Sequence, residues 1–111
     1  MAEDPHDWED ATKLIRGGLN RSNFREQSEA IFLTQAFTYE SAAACDELFD
    51  KGGGFVYSRY ANPTTRMFED RLALLEGAEA CRSTASGMAA VHTAISGLVK
   101  TGDHIVAGKA L

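Results

Sequence analysis

Two cysteines, Cys45 and Cys81, are the whole thiol content of this 111-residue chain. That is too few for a disulfide framework and points to a reducing compartment, with the cytoplasm as the expected location. No stretch approaches the roughly 18 consecutive apolar residues that would span a bilayer, so no membrane partner is expected. Basic residues are also scarce: 11 Lys and Arg stand against 16 Asp and Glu, a formal net charge of −5. A nucleic acid or anionic lipid surface held by bulk electrostatics is therefore not an expected partner. The opening Met1–Asp10 lacks an apolar run and carries Glu3, Asp4, Asp7, Glu9 and Asp10. Neither a secretory signal nor an Arg-rich transit peptide is expected there. Hydrophobic residues at 44% and charged residues at 24% are what a folded chain needs. The length suits one small domain.

No internal repeat or low-complexity tract divides the chain, but its character changes along it. Residues 1–29 are polar and acidic, with Gly17-Gly18 interrupting the short apolar patch Leu14-Ile15, and read as an arm with one short helix. The aromatic run Ala30–Tyr39 is extended, and the lack of a following hairpin turn predicts no partner strand nearby. Ser41 can cap a short helix through Phe49, stopped by Gly52-Gly53-Gly54. No Gly-Lys-Ser/Thr follows those glycines, so a flexible linker is expected there rather than a phosphate loop.

From Asn62 the pattern becomes regular. Asn62 is an N-cap, Pro63 suits the first helical position and Gly77 sits where a C-terminal cap belongs. Phe68, Leu72 and Leu75 recur at spacings of four and three, with Met67 and Leu74 widening the stripe and Glu69, Asp70 and Arg71 on the wet face. Ala80–Thr84 reads as a strand and Ala85-Ser86-Gly87 as a turn. A second helix follows, with Met88, Val91, Ile95 and Leu98 on one face, running to Gly102. Asp103–Ala107 then reads as a second strand. Strand, turn, helix and strand predict a βαβ unit with a right-handed crossover, the opening of a parallel sheet these residues alone cannot complete.

Two clusters offer chemistry. At the Ser86-Gly87 turn a helix start presents unpaired N–H groups and a dipole that favours an anion. Gly87 has no side chain to obstruct a ligand, and the Ser86 hydroxyl adds a donor, so a phosphate site is one reading and a simple helix cap the other. A nucleophile elbow would need glycines where Thr84 and Met88 stand. In the second cluster, Tyr57-Ser58-Arg59-Tyr60, alternation in an extended segment would put Tyr57 and Arg59 on one side. That pair could grip a phosphate through the guanidinium fork; the alternative is a surface strand with a solvated arginine. His6, His92 and His104 have no metal-ligand spacing, so no metal site is expected, and Cys45 and Cys81 read as small buried hydrophobes.

Y-S-R-Y-A-N-P-T, F-E-D-R-L-A-L-L-E-G-A, S-G-M-A-A-V and G-D-H-I-V follow one another in order. Together they resemble the Cys/Met-metabolism family of pyridoxal-phosphate enzymes, over roughly Lys13 to Leu111. Within it, E-A-I-F-L-T-Q-A-F and I-V-A-G-K-A-L are most similar to the O-succinylhomoserine sulfhydrylases. Cystathionine γ-synthases, cystathionine γ-lyases and methionine γ-lyases are the sister alternatives.

The resemblance implies an α/β fold, the N-terminal part of a fold-type I, aminotransferase-like enzyme. Residues 1–61 would form the arm and inter-subunit segment, and 62–111 the beginning of the cofactor-binding domain. The implied cofactor is pyridoxal 5′-phosphate. Gly87 and Met88 match the family's backbone donors to its phosphate, with Ser86 in the same turn. Tyr57 and Arg59 match the pair that reaches the neighbouring subunit's phosphate in a homodimer or homotetramer. The implied reaction is replacement of the γ-ester of O-succinylhomoserine by sulfide, giving homocysteine and succinate. No residue here matches the family's Schiff-base lysine, its aspartate on the pyridine nitrogen or its ring-stacking aromatic. An inactive N-terminal fragment is therefore expected, with a non-catalytic oligomerisation or binding piece as the other possibility.

Overall fold

The helix expected after Asn62 forms within the limits its caps set. The Asn62 side chain accepts from the Thr64 N–H at 2.9 Å, and Pro63 takes the first position, where its missing N–H costs nothing. At the other end Gly77 closes the helix in the left-handed conformation, φ 61°, which a side chain would strain. The computed structural model describes residues 4–109. Glu3 of the acidic opening and the last two residues of I-V-A-G-K-A-L lie outside them. The described helices are α1 (Asp10–Arg16), α2 (Ala42–Lys51), α3 (Pro63–Glu76) and α4 (Gly87–Leu98), preceded by a 3-10 turn at Pro5–Asp7.

The core sits where α1 meets α3, the one substantial helix–helix contact among the described residues. Met67 is its centre, 2% exposed, beside the buried Pro63. Gly17-Gly18 makes that approach possible. At Gly18, φ 66°, a Cβ would lie 2.5 Å from the Met67 carbonyl oxygen and 2.8 Å from the Arg71 nitrogen. Arg71 fastens the same crossing: its Nε donates to the Gly17 carbonyl at 2.9 Å and its guanidinium pairs with Glu29. The radius of gyration, 17.7 Å, exceeds the about 13 Å of a compact domain this long, so much of the chain stands away from that core.

The structure corrects several expectations. No strand is formed among the described residues, so the βαβ unit is not seen: residues 80–84 and 103–107 run without ladder hydrogen bonds. A strand exists through its neighbour, about 4.8 Å away, and a buried parallel sheet needs several. The run Ala30–Tyr39 does find a partner. Ala36 bridges antiparallel to Tyr57, and the Ser58 N–H donates to the Gln35 carbonyl at 2.8 Å. Helix α2 and its glycine tail form the connection that returns the chain. Glu69 and Arg71, expected on the wet face, are drawn inward by partners distant in sequence, whereas Phe68 of the apolar stripe is exposed. Helix α4 ends at Leu98 rather than at Gly102, which instead serves a turn in which Lys100 and Asp103 bond each other. Cys45 and Cys81 are half-buried, not buried.

Candidate functional site

Helix α4 begins at a turn whose donors are unspent. Ser86 is extended, φ −159° and ψ 160°, and its Oγ accepts from the Ala89 N–H at 3.2 Å. Its carbonyl accepts from the Ala90 N–H at 3.0 Å and from the Thr84 hydroxyl at 2.8 Å. The Gly87 and Met88 N–H groups have no partner among the described residues, and a Cβ at Gly87 would meet nothing within 4 Å. Capping takes a lone pair of Ser86 Oγ and leaves its O–H available, so the two readings of this serine are compatible. Two N–H groups, one hydroxyl and the positive end of a 12-residue helix make a donor set suited to a phosphate.

Sequence reasoning missed what anchors this turn. Glu69 of α3, 8% exposed, accepts through Oε1 from the Ser83 N–H at 2.8 Å and from the Ser83 hydroxyl at 3.0 Å. Its other oxygen lies 3.5 Å from Arg82. Helical spacing put Glu69 towards water, and nothing local in the sequence announces a partner 14 residues away. The Arg82-Ser83 pair just before the turn was the available signal.

Tyr57 and Arg59 are brought together, though not as alternation suggested. Residues 57–61 form a turn, with the Tyr60 and Ala61 N–H groups both donating to the Tyr57 carbonyl. The Arg59 guanidinium lies 5.3 Å from the Tyr57 ring centroid and 5.4 Å from that of Tyr60. Arg59 has no carboxylate partner among the described residues, so its fork of donors is held between two rings and remains unpaired. Asn62 secures this turn to α3: its Nδ2 donates to the Phe32 carbonyl and to Ser58 Oγ, each at 3.0 Å. Ser58 also donates to the Thr34 carbonyl. Among the described residues no hydrogen bond or ion pair joins the Tyr57/Arg59 turn to the Ser86–Met88 turn. Among the described residues no three His, Cys, Asp or Glu side chains converge as metal ligands, and no helix is long and apolar enough to cross a membrane.

A family model described as Cys/Met metabolism PLP-dependent enzyme matches residues 11–111. An O-succinylhomoserine sulfhydrylase of Mycobacterium tuberculosis is 49% identical over 102 residues, covering 91% of this chain and 25% of that protein. The same enzyme of Pseudomonas aeruginosa is 41% identical over 101 residues, 90% of this chain and 25% of that one. An L-methionine gamma-lyase of Treponema denticola is 40% identical over 102 residues, again 91% and 25%. The chain thus spans about a quarter of the length of the curated relatives it matches. A solved O-acetylhomoserine (thiol)-lyase of Campylobacter jejuni superposes with a TM-score of 0.80 at 32% identity, covering 87% of this chain and 24% of that one. That structure carries a pyridoxyl-lysine monophosphate.

Proposed function

Since this chain belongs to the Cys/Met-metabolism family of pyridoxal-phosphate-dependent enzymes, we propose that it is the N-terminal quarter of a cytoplasmic O-succinylhomoserine sulfhydrylase. The reaction would replace the γ-succinyl ester of the substrate by sulfide, yielding homocysteine and succinate. The observation that carries the reading is the open pair of N–H groups at Gly87 and Met88, in a chain 49% identical to such a sulfhydrylase.

The residues present fit the cofactor's phosphate. Gly87 leaves space for close approach, and its N–H, that of Met88 and the Ser86 hydroxyl would donate to the phosphate oxygens. When bound, pyridoxal phosphate supplies the electron sink for the carbon chemistry. The share of these residues is to hold and orient it by one end. Tyr57 and Arg59 would hold the phosphate of a neighbouring subunit, because no bond ties them to the turn of their own chain and the guanidinium lacks a partner. A homodimer or homotetramer follows, with residues 1–61 as the inter-subunit part and 62–111 as the beginning of the cofactor-binding domain and its sheet.

The experiment supplies the full-length protein with O-succinylhomoserine and sulfide and measures homocysteine and succinate. Both products in equal amounts support the reading. Cystathionine formed with cysteine in place of sulfide, or ammonia released from methionine without a nucleophile, would move the protein to a sister reaction. The 111 residues alone should give no product, because none of them is assigned to bond the cofactor's aldehyde carbon.

A further inference from the structure

We propose that Glu69 is a positioning residue for the phosphate-holding turn, acting through Ser83. This rests on the reading of Ser86–Met88 as the phosphate site.

A carboxylate left 8% exposed on a helix is costly unless its oxygens are occupied. Here they are occupied by the segment that leads into α4. Oε1 takes both donors of Ser83, at 2.8 and 3.0 Å, and Oε2 faces Arg82 at 3.5 Å. The next residue, Thr84, donates its hydroxyl to the Ser86 carbonyl, and Ser86 Oγ caps the helix. Bonds at Ser83 and at Ser86, joined through the short covalent chain between them, thus link α3 to the Ser86–Gly87 peptide, which carries the Gly87 N–H donor and precedes that of Met88. Helix packing does not do this work, because the substantial helix contact of the described residues is α1 with α3. The aim of the donors is inherited from Glu69. Its negative charge, unfavourable near a phosphate, is offset by Arg82.

Position along α3 adds to the argument. Asn62, which secures the Tyr57/Arg59 turn, and Glu69 are seven residues apart, about 10.5 Å along a helix. One rigid element thus sets where both phosphate-directed turns leave the core.

The test measures the affinity of the full-length apoprotein for pyridoxal phosphate and for pyridoxal, which lacks the phosphate, by absorbance titration. Apoprotein melting is recorded alongside. Glu69→Ala should weaken pyridoxal phosphate about tenfold and leave pyridoxal unchanged. Glu69→Gln, which keeps an accepting oxygen for Ser83, should stay within about threefold of the parent. Glu69→Asp, about 1.5 Å shorter, should behave as the alanine variant does. An equal loss for both ligands, or a lower melting temperature with the ratio of affinities intact, makes Glu69 a folding anchor only and overturns the proposal. Should Glu69→Ala not fold, Ser83→Ala, which retains the N–H bond, should fold and lose about threefold for the phosphorylated ligand alone; no loss overturns it equally. A parent protein that binds both ligands alike refutes the phosphate site itself, independently of any variant.

Discussion

Helices α3 and α4 are written in the same local language and end in different environments. Each has a side-chain cap, Asn62 or Ser86, that accepts from an N–H of the first turn, and each carries an apolar stripe. Yet Met67 of α3 is buried, whereas Met88 and Leu98 of α4 are 75% and 85% exposed and no residue of α4 is buried. Their starting turns differ as well. The Asn62 side chain is engaged by Phe32, Ser58 and Thr64, and the Thr65 N–H is left without a partner among the described residues, while at the Ser86 end two adjacent N–H groups, those of Gly87 and Met88, are left so. Capping and periodicity make a helix; what covers it is decided elsewhere, and the uncovered start is where a ligand can be held.

The largest effect should come from the core. Met67→Ala is expected to cost about 2–5 kcal/mol, while Leu98→Ala in the same 111-residue chain should stay within about 0.5 kcal/mol. Denaturant unfolding followed by circular dichroism measures both, and comparable losses would abolish the distinction drawn between the helices.

Next in size are the residues proposed to hold the phosphate. Arg59→Ala should lower cofactor affinity by about 1.5–3 kcal/mol, ten- to hundredfold, without changing helix content. Gly87→Val should also weaken cofactor binding more than folding, since its side chain enters the open space over the turn. If Arg59 serves the neighbouring subunit, a mixed dimer of Arg59→Ala with a subunit lacking the aldehyde-binding lysine regains one competent site. Recovery to near half of the parental activity is the expected result; activity no higher than in the pure mutants places Arg59 in its own subunit's site.

The caps sharpen the contrast at smaller scale. Each alanine replacement should cost about 0.5–2 kcal/mol. Asn62→Ala should fall at the upper end because it also releases Phe32 and Ser58, and Ser86→Ala at the lower end. The reverse order would mean that the Ser86 turn is held by more than its cap.

The weakest effect expected is one of pH on the arm. The Glu29 carboxyl lies below its ordinary 4.5, first through its own backbone N–H and then through Arg71. A carboxyl held low in the folded state contributes stability above the unfolded value, lost as pH falls through the folded one. The arm should therefore loosen only below about pH 4.5, seen in the fluorescence of Trp8, with α3 still helical. Glu26 is likewise held below 4.5, chiefly by the Ser22 N–H. Arg71→Ala removes the Glu29 partner, together with the bond to the Gly17 carbonyl, and leaves the Ser22–Glu26 bonds in place, so it should shift the midpoint upwards; an unmoved midpoint assigns the transition to Glu26.

What was legible in the sequence was local. Asn62, Pro63 and Gly77 bounded α3, Ser41 started α2, and Ser86-Gly87 marked the start of α4, because each signal acts through hydrogen bonds within a turn or two. The two candidate phosphate clusters stood out for the same reason: their donors are carried by adjacent residues. The Tyr57–Arg59 pair shows the limit of that reasoning. Side-chain alternation presumed an extended segment, but the chain turns there, and the two side chains meet by ring stacking instead.

By itself the sequence determined where α2, α3 and α4 begin and which two clusters of adjacent residues are the candidate anion sites. All of these depend on neighbours within a few residues. Only the tertiary structure decided that Glu69 is buried, that Gly18 lies against the α3 backbone and that Ala36 pairs with Tyr57. Those contacts join residues between 14 and 53 positions apart. Helical periodicity records which face a side chain leaves from, and carries no information about what distant segment arrives to meet it.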